Sequence, residues 1–369
     1  MLTNSKQGEN YDIGLLLAII FLTGIGILMV YSTSSVFALE KFGDPDYFLK
    51  RHSIFLMIGL SSMILFMNIN YRFYKKIVYP AYVLGLALLV LVLIPGIGRE
   101  VGGAQRWIDL DSFSFQPSEI SKYIIVLYLA HSLTKKKEKM DNFIAGFASH
   151  IIMAGMYVAL ILVEPDFGMA FTLLIVIFAM MFVGEVRLKY VVPIGFTSIA
   201  LLVVSVITKG YRMDRIQSFL DPWQDPLGSG YQAIQSFIAI GIGGIYGSGL
   251  GDSTQKLFFL PQAHTDFIFS IIGEELGLIG IAIVICLFAF LFIRSIRTSL
   301  KAQDLFGCYL AFGLIMIILM QAAINMGVAV GMFPTKGIAL PFISYGGTSL
   351  ITSLSAMGVI LNISKTSMK

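Results

Sequence analysis

Apolar residues run along the chain in long windows separated by short polar connections, at residues 13–35, 52–69, 76–95, 118–134, 143–163, 167–184, 188–207, 267–293, 304–330 and 341–363. A hydrocarbon core roughly 30 Å thick is crossed by about 20 helical residues, so each window is long enough to span a bilayer. The pattern predicts an all-α polytopic membrane protein with about ten transmembrane helices, organised as a single integral membrane domain over residues 1–369. One further stretch, "YQAIQSFIAIGIGGIYGSGL" at 231–250, is also long enough to cross. Counting it as a span would move the basic residues Arg294, Arg297 and Lys301 to the outer side. We therefore expect a Gly-rich, half-buried helix or re-entrant piece within a large extracytoplasmic loop, residues 208–266, between spans seven and eight. Irregular backbone at that depth is tolerated only where protein or a wet cavity covers it.

Composition supports this reading, with 57% hydrophobic and only 13% charged residues, which excludes a water-soluble globule with a polar skin. Basic residues favour one orientation: with both termini inside, the inner connections hold fifteen Lys and Arg and the outer ones ten, four of the latter in the longest loop. Short basic loops stay cytoplasmic, so N-in and C-in is the expected topology. The net charge of +4 belongs mostly to those inner loops and gives no reason to expect nucleic acid as a partner. Cys286 and Cys308 fall in predicted spans and read as packing residues. The four His, at 52, 131, 150 and 264, are scattered, and neither zinc-ligand spacing nor a phosphate loop of the Walker type is found.

The remaining polar residues cluster on the predicted outer face. "RWIDL" and "QPSEISK" bring Arg106, Trp107, Glu119 and Lys122 to the start of a span. Glu119 suits the first turn of a helix, and Lys122, three residues on, is placed to pair with it where water is scarce. "EPDFG" at 164–168 reads as a solvated turn whose acids cap the next helix. Arg212 and Arg215 share a helix face and suit a diphosphate. In "LPQAHTDFIFSIIGEELG", His264 and Asp266 fall at the mouth of a span. Glu274 and Glu275 should lie roughly 12 Å deeper along the same helix, as paired supports beside a glycine-lined packing face. "PTKGIALPFISYGGTS" returns Lys336 and Ser344 to the same side through a non-helical lining.

These motifs, in this order and over essentially the whole chain, resemble the SEDS (shape, elongation, division, sporulation) family of bacterial cell-wall polymerases. "PTKGIALPFISYGG" and "GDSTQKLFFLP" are more similar to its FtsW (division) branch, or its sporulation relative, than to its elongation branch. The resemblance implies a peptidoglycan glycosyltransferase of the bacterial cytoplasmic (inner) membrane, with its active site on the extracytoplasmic side. Its substrates would be lipid II and the nascent glycan strand. Its partners would be a class B penicillin-binding protein, other divisome membrane proteins and membrane lipid. The family pattern makes Asp266 the catalytic residue and gives functional weight to Trp107, Glu119 and Lys122. Gln262 departs from the pattern, standing where an acid is usual. Because an α-linked pyrophosphate becomes a β-glycosidic bond, the implied reaction inverts, and a single carboxylate suffices as general base. Stabilisation of the leaving pyrophosphate is expected from Arg212, Arg215, Lys256 or Lys336, or from a divalent cation such as Mg or Mn. Two other readings are a lipid II flippase and a non-catalytic divisome scaffold; polymerisation of lipid II by the purified protein separates them.

Overall fold

A computed structural model describes residues 11–101, 104–110, 113–207, 217–257 and 259–367. Every predicted apolar window coincides with a helix: α1 (Ile13–Phe42), α2 (Tyr47–Asn68), α3 (Tyr74–Val92), α4 (Pro117–Lys135), α5 (Ser149–Val163, entered through a π turn from Phe143), α6 (Phe167–Val183), α7 (Leu188–Ile207), α9 (Ile268–Leu300), α10 (Leu305–Ala329) and α11 (Gly347–Ser367). The short α8 (Tyr231–Gly243) stands between α7 and α9. Seven of the candidate spans among the described residues satisfy both the length and the composition needed to cross a membrane. α4 carries the buried charges Glu119 and Lys122, and α6 is 17 residues long. α10 occupies the centre, surrounded by α4, α6, α9 and α11. Large apolar side chains such as Phe21, Met57 and Val83 point outward, as a surface solvated by lipid requires.

At the predicted inner base, Asp12 caps α1 by accepting from the Leu15 amide at 3.1 Å. It also receives the Arg294 guanidinium of α9 at 2.6 and 3.0 Å, and its own amide donates to Ser364 of α11. Three helices, α1, α9 and α11, are thus tied together at one residue.

The expectation of an all-α chain is corrected in the connection ahead of α4. Residues before α4 form a three-stranded antiparallel sheet, β1 (Gly98–Val101), β2 (Ala104–Leu110) and β3 (Phe113–Phe115), in that order. A short connection reversing twice satisfies its backbone groups in this way without a helix.

α9 is not a continuous rod either. Gly277, at φ 65° and ψ −163°, breaks it, and the turn after α8 fills the break. Ser248 and Gly249 donate to the freed carbonyls of Glu274 and Glu275 at 2.9 and 3.1 Å, while Leu278 and Ile279 donate to Gly244 and Ile245 at 2.9 and 3.3 Å. A side chain at position 277 would strike the backbone of Gly247 and Ile245, so glycine is needed for space as well as for its positive φ. Residues 231–250, expected as a half-buried helix or re-entrant piece, form the short helix α8 and the glycine-rich turn packed into this break. α8 enters, and residues 244–249 repair the backbone of a broken helix.

Candidate functional site

The site is built around residues 262–266, which belong to no helix. The amides of Thr265, Asp266 and Phe267 converge on the carbonyl of Gln262, at 3.1, 3.1 and 3.3 Å, with Gln262 itself at φ 59°. That inward convergence leaves three successive carbonyls facing out, and each is held by the last third of the chain. The Tyr345 amide donates to His264 O at 3.0 Å, Ser344 Oγ to Thr265 O at 2.5 Å, and Asn325 Nδ2 to Asp266 O at 2.7 Å. The Ser344 hydroxyl also accepts from the Leu340 amide at 2.8 Å. Ser344 therefore acts on the backbone of the Asp266 loop, a contact that residue type alone does not reveal.

Asp266 is half-buried, and its carboxylate lies over Gly337. A Cβ added there would come within 3.2 Å of Asp266 Oδ2. Lys336, one residue earlier, runs its stem against Gly168 and sets its ammonium 4.8 Å from the centre of the Phe171 ring. The Lys336–Ile338 segment thus connects Asp266 to the first turns of α6.

His264, expected beside Asp266 at the aqueous mouth, is packed among aromatic rings. Its ring centroid lies 5.7 Å from that of Phe37, 4.7 Å from Phe48 and 6.0 Å from Tyr345. Burial there, reinforced by the nearby Lys41 charge, lowers its pKa to about 4, so the imidazole is neutral at physiological pH and brings no positive charge to a pyrophosphate.

A second polar group lies beside α6. Arg106, on β2, donates to the carbonyls of Glu164 at 3.2 Å and Pro165 at 2.5 Å, and its guanidinium is 3.5 Å from Asp166. Asp166 caps α6, accepting from the Met169 amide at 3.0 Å, as the sequence suggested. Glu164 departs from the solvated turn expected of it: it is fully buried, and neither carboxylate oxygen has a donor among the described residues. Desolvation, with Asp166 adding and Arg106 opposing, raises its pKa to about 8. Trp107, next along β2, is half-exposed and pairs in register with Arg99. One turn into α4, Lys122 bonds Glu119 at 2.5 Å, the pairing read from their spacing, and Gln321 of α10 at 2.8 Å.

The deeper acids are the supports they were expected to be. Glu274 accepts from Ser253 Oγ at 2.5 Å, from the amide and hydroxyl of Thr254 at 2.8 and 3.0 Å, and from the Gln255 amide at 3.3 Å. Glu275 takes Lys256 at 2.8 Å and Ser32 of α1 at 2.6 and 2.8 Å. Lys256 is thereby buried in a structural pair, which removes it from the cations available to a leaving group. Arg212 and Arg215 lie outside the described residues. Among the described residues, no three His, Cys, Asp or Glu side chains are grouped so that they could hold a metal ion, so protein side chains there do not form a metal set on their own.

Comparisons with known proteins agree with these motifs. The family model for FtsW, RodA and SpoVE, described as "Cell cycle protein", matches residues 14–369. A probable peptidoglycan glycosyltransferase FtsW of Geobacter sp. (strain M18) is 46% identical over 359 residues, covering 97% of this chain and 98% of that one. Stage V sporulation protein E of Bacillus subtilis is 42% identical, covering 96% and 97%. Among solved structures, a chain from a study of polymerisation and crosslinking by a peptidoglycan synthase complex superposes with a TM-score of 0.79 at 31% identity, covering 97% of this chain and 99% of that chain. Thermus thermophilus RodA superposes at 0.72 and 27% identity, covering 97% and 98%. With helices, Asp266 loop and C-terminal lining in the order the motifs announce, the chain belongs to the FtsW/RodA/SpoVE family.

Proposed function

We propose that this chain is a peptidoglycan glycosyltransferase that polymerises lipid II at the outer face of the cytoplasmic membrane, in the wall synthesis of cell division. Its FtsW relatives support the activity and the division role, and the peptidoglycan synthase complex among its structural relatives supports a class B penicillin-binding protein as partner. The topology that fits is ten spans with both termini inside. This puts the sheet, the Asp266 loop and the Lys336–Ile338 segment on one outer side, where the lipid-linked disaccharide and the growing glycan are found.

The observation that carries the reading is the attachment of the Asp266 loop. Its backbone is fixed by three hydrogen bonds from a separate part of the chain, and its side chain is half-exposed over Gly337. A carboxylate so held can act as general base. Asp266 takes the proton of the acceptor sugar's 4-hydroxyl while that oxygen attacks the anomeric carbon of the donor. The bond from that carbon to the pyrophosphate oxygen breaks, and undecaprenyl pyrophosphate leaves with the electron pair. Lys336 is the nearest cation in sequence to Gly337 and is the described residue best placed to offset charge developing on the leaving group. Arg212 and Arg215 remain candidates for the same role.

The test is polymerisation of lipid II by the purified protein with its penicillin-binding partner. Asp266→Asn should sharply reduce glycan chains while leaving the protein folded, and normal chains from that variant would end the assignment. Translocation of labelled lipid II across vesicles without polymerisation would favour a flippase, which the buried Glu119–Lys122–Gln321 group would serve as a polar path.

A further inference from the structure

Asn325 stands on α10, the central helix, with 2% of its surface exposed. Its amide nitrogen donates to two carbonyls, Asp266 O and Ile338 O, each at 2.7 Å. Those carbonyls belong to different segments, the loop that carries Asp266 and the stretch that carries Lys336 and Gly337. Both N–H groups are used, and the amide orientation is fixed by this pattern, because a flipped side chain would point an oxygen at two oxygens. The other end of the amide gains nothing from its burial. Asn325 Oδ1 is enclosed and has no donor among the described residues, a cost that a purely packing side chain would avoid. The amide is well suited to one job, holding two strands of irregular backbone together at a set distance.

That distance matters for Asp266. Ile338 follows Gly337, and Gly337 is the residue over which the Asp266 carboxylate lies. A staple joining Asp266 O to Ile338 O therefore sets the carboxylate against the Lys336–Gly337 segment. Ser344 anchors Thr265 O nearby but reaches no atom of residues 336–338 in its described bonds, so its effect on that spacing is indirect. We infer that Asn325 is a positioning residue for glycan polymerisation, fixing the Asp266 carboxylate relative to Lys336 and Gly337 by bridging the two backbone segments. The inference rests on Asp266 being the base.

The test compares Asn325→Ala, which has no donor, with Asn325→Ser, which keeps one. Both are assayed as full-length protein with the penicillin-binding partner on lipid II. Displacement of a reacting group by about 1 Å costs on the order of 100-fold in rate. Asn325→Ala should therefore lower kcat by roughly 10- to 100-fold with KM for lipid II nearly unchanged, and Asn325→Ser should fall between it and the parent. The acid limb of the kcat/KM profile, where the base gains its proton, should also move, because the carboxylate would stand differently against the Lys336–Gly337 segment. A structural role would lower the yield of folded enzyme without moving that limb. If Asn325→Ala does not fold, Asn325→Ser decides alone. Parental kcat and an unshifted limb in the folded variant overturn the inference. Asp266→Ala, run in parallel, keeps the two failures apart. If it polymerises normally, the base assignment falls; if it is inactive while both Asn325 variants behave as the parent, only the positioning role falls.

Discussion

Asp266 and the pair Glu274/Glu275 lie within ten residues of one another, yet the bonds described for them fall on different atoms. The glutamates are held by their carboxylates: Glu274 takes four hydrogen bonds from residues 253–255, and Glu275 takes Lys256 and Ser32. Asp266 is held by its main chain, through Asn325, its neighbour Thr265 and the convergence on Gln262. A buried carboxylate saturated by donors has done its work by folding the protein. An acid whose backbone is pinned and whose side chain stays half-exposed is suited to take part in chemistry. The contrast separates support from function more sharply than depth along a helix does, since the helix between them begins only at Ile268 and breaks at Gly277.

The contrast is easiest to break at Asp266. Asp266→Asn should reduce polymerisation by roughly 10²- to 10⁴-fold, measured as glycan product per folded molecule, with little change in melting temperature. Glu275→Ala should do the reverse. It leaves Lys256 buried without its carboxylate, which costs about 3–5 kcal/mol of stability, and the surviving folded protein should polymerise at close to the parental rate. A Glu275 variant that melts normally but is inactive would erase the distinction. Gly337→Ala is gentler, placing a methyl 3.2 Å from Asp266 Oδ2. We expect about a tenfold loss of kcat with stability changed by less than about 1 kcal/mol.

Glu164 sharpens the contrast from a third side, being buried and without a donor among the described residues. Its pKa of about 8 in the folded protein exceeds the ordinary 4.5. The stabilising neutral form is therefore fully favoured below about pH 4.5, and its contribution is lost as pH rises through 8. Glu164→Gln should flatten the fall of melting temperature over that interval by a few degrees, read by thermal unfolding in detergent across pH. An unchanged pH slope would show that Glu164 ionises freely where it stands.

Much of this was legible in the sequence because hydropathy is a local property. Ten apolar windows gave ten helices, Glu119 and Lys122 paired at their helical spacing, and Asp166 capped α6 as its position suggested. What was missed depends on distant segments meeting. Nothing near Asn325 announces that its amide will meet Asp266 and Ile338, because the contact exists only once α10 lies beside both loops. Glu164 looked solvated because a turn normally is, and it became buried through the clamp of Arg106 from β2. Lys256 looked available because its partner stands on α9. The sheet was hidden for a similar reason, its strands being short and set in a connection that apolar windows pass over. The break in α9 was half visible. The glycines beside Glu274 and Glu275 suggest a packing face, whereas the positive φ of Gly277 and the turn at 244–249 make that position a discontinuity.

The three carbonyls of residues 264–266 are held by Asn325, Ser344 and Tyr345, which the ribosome adds some 60 to 80 residues later. During synthesis the Asp266 loop must therefore enter the membrane without its anchors and wait for α10 and the lining ahead of α11. A chain interrupted before residue 344 would carry its proposed base and most of its helices but would leave the loop only partly moored. The loop is thus fully moored only once the chain has been made through Tyr345 and these segments have packed against it.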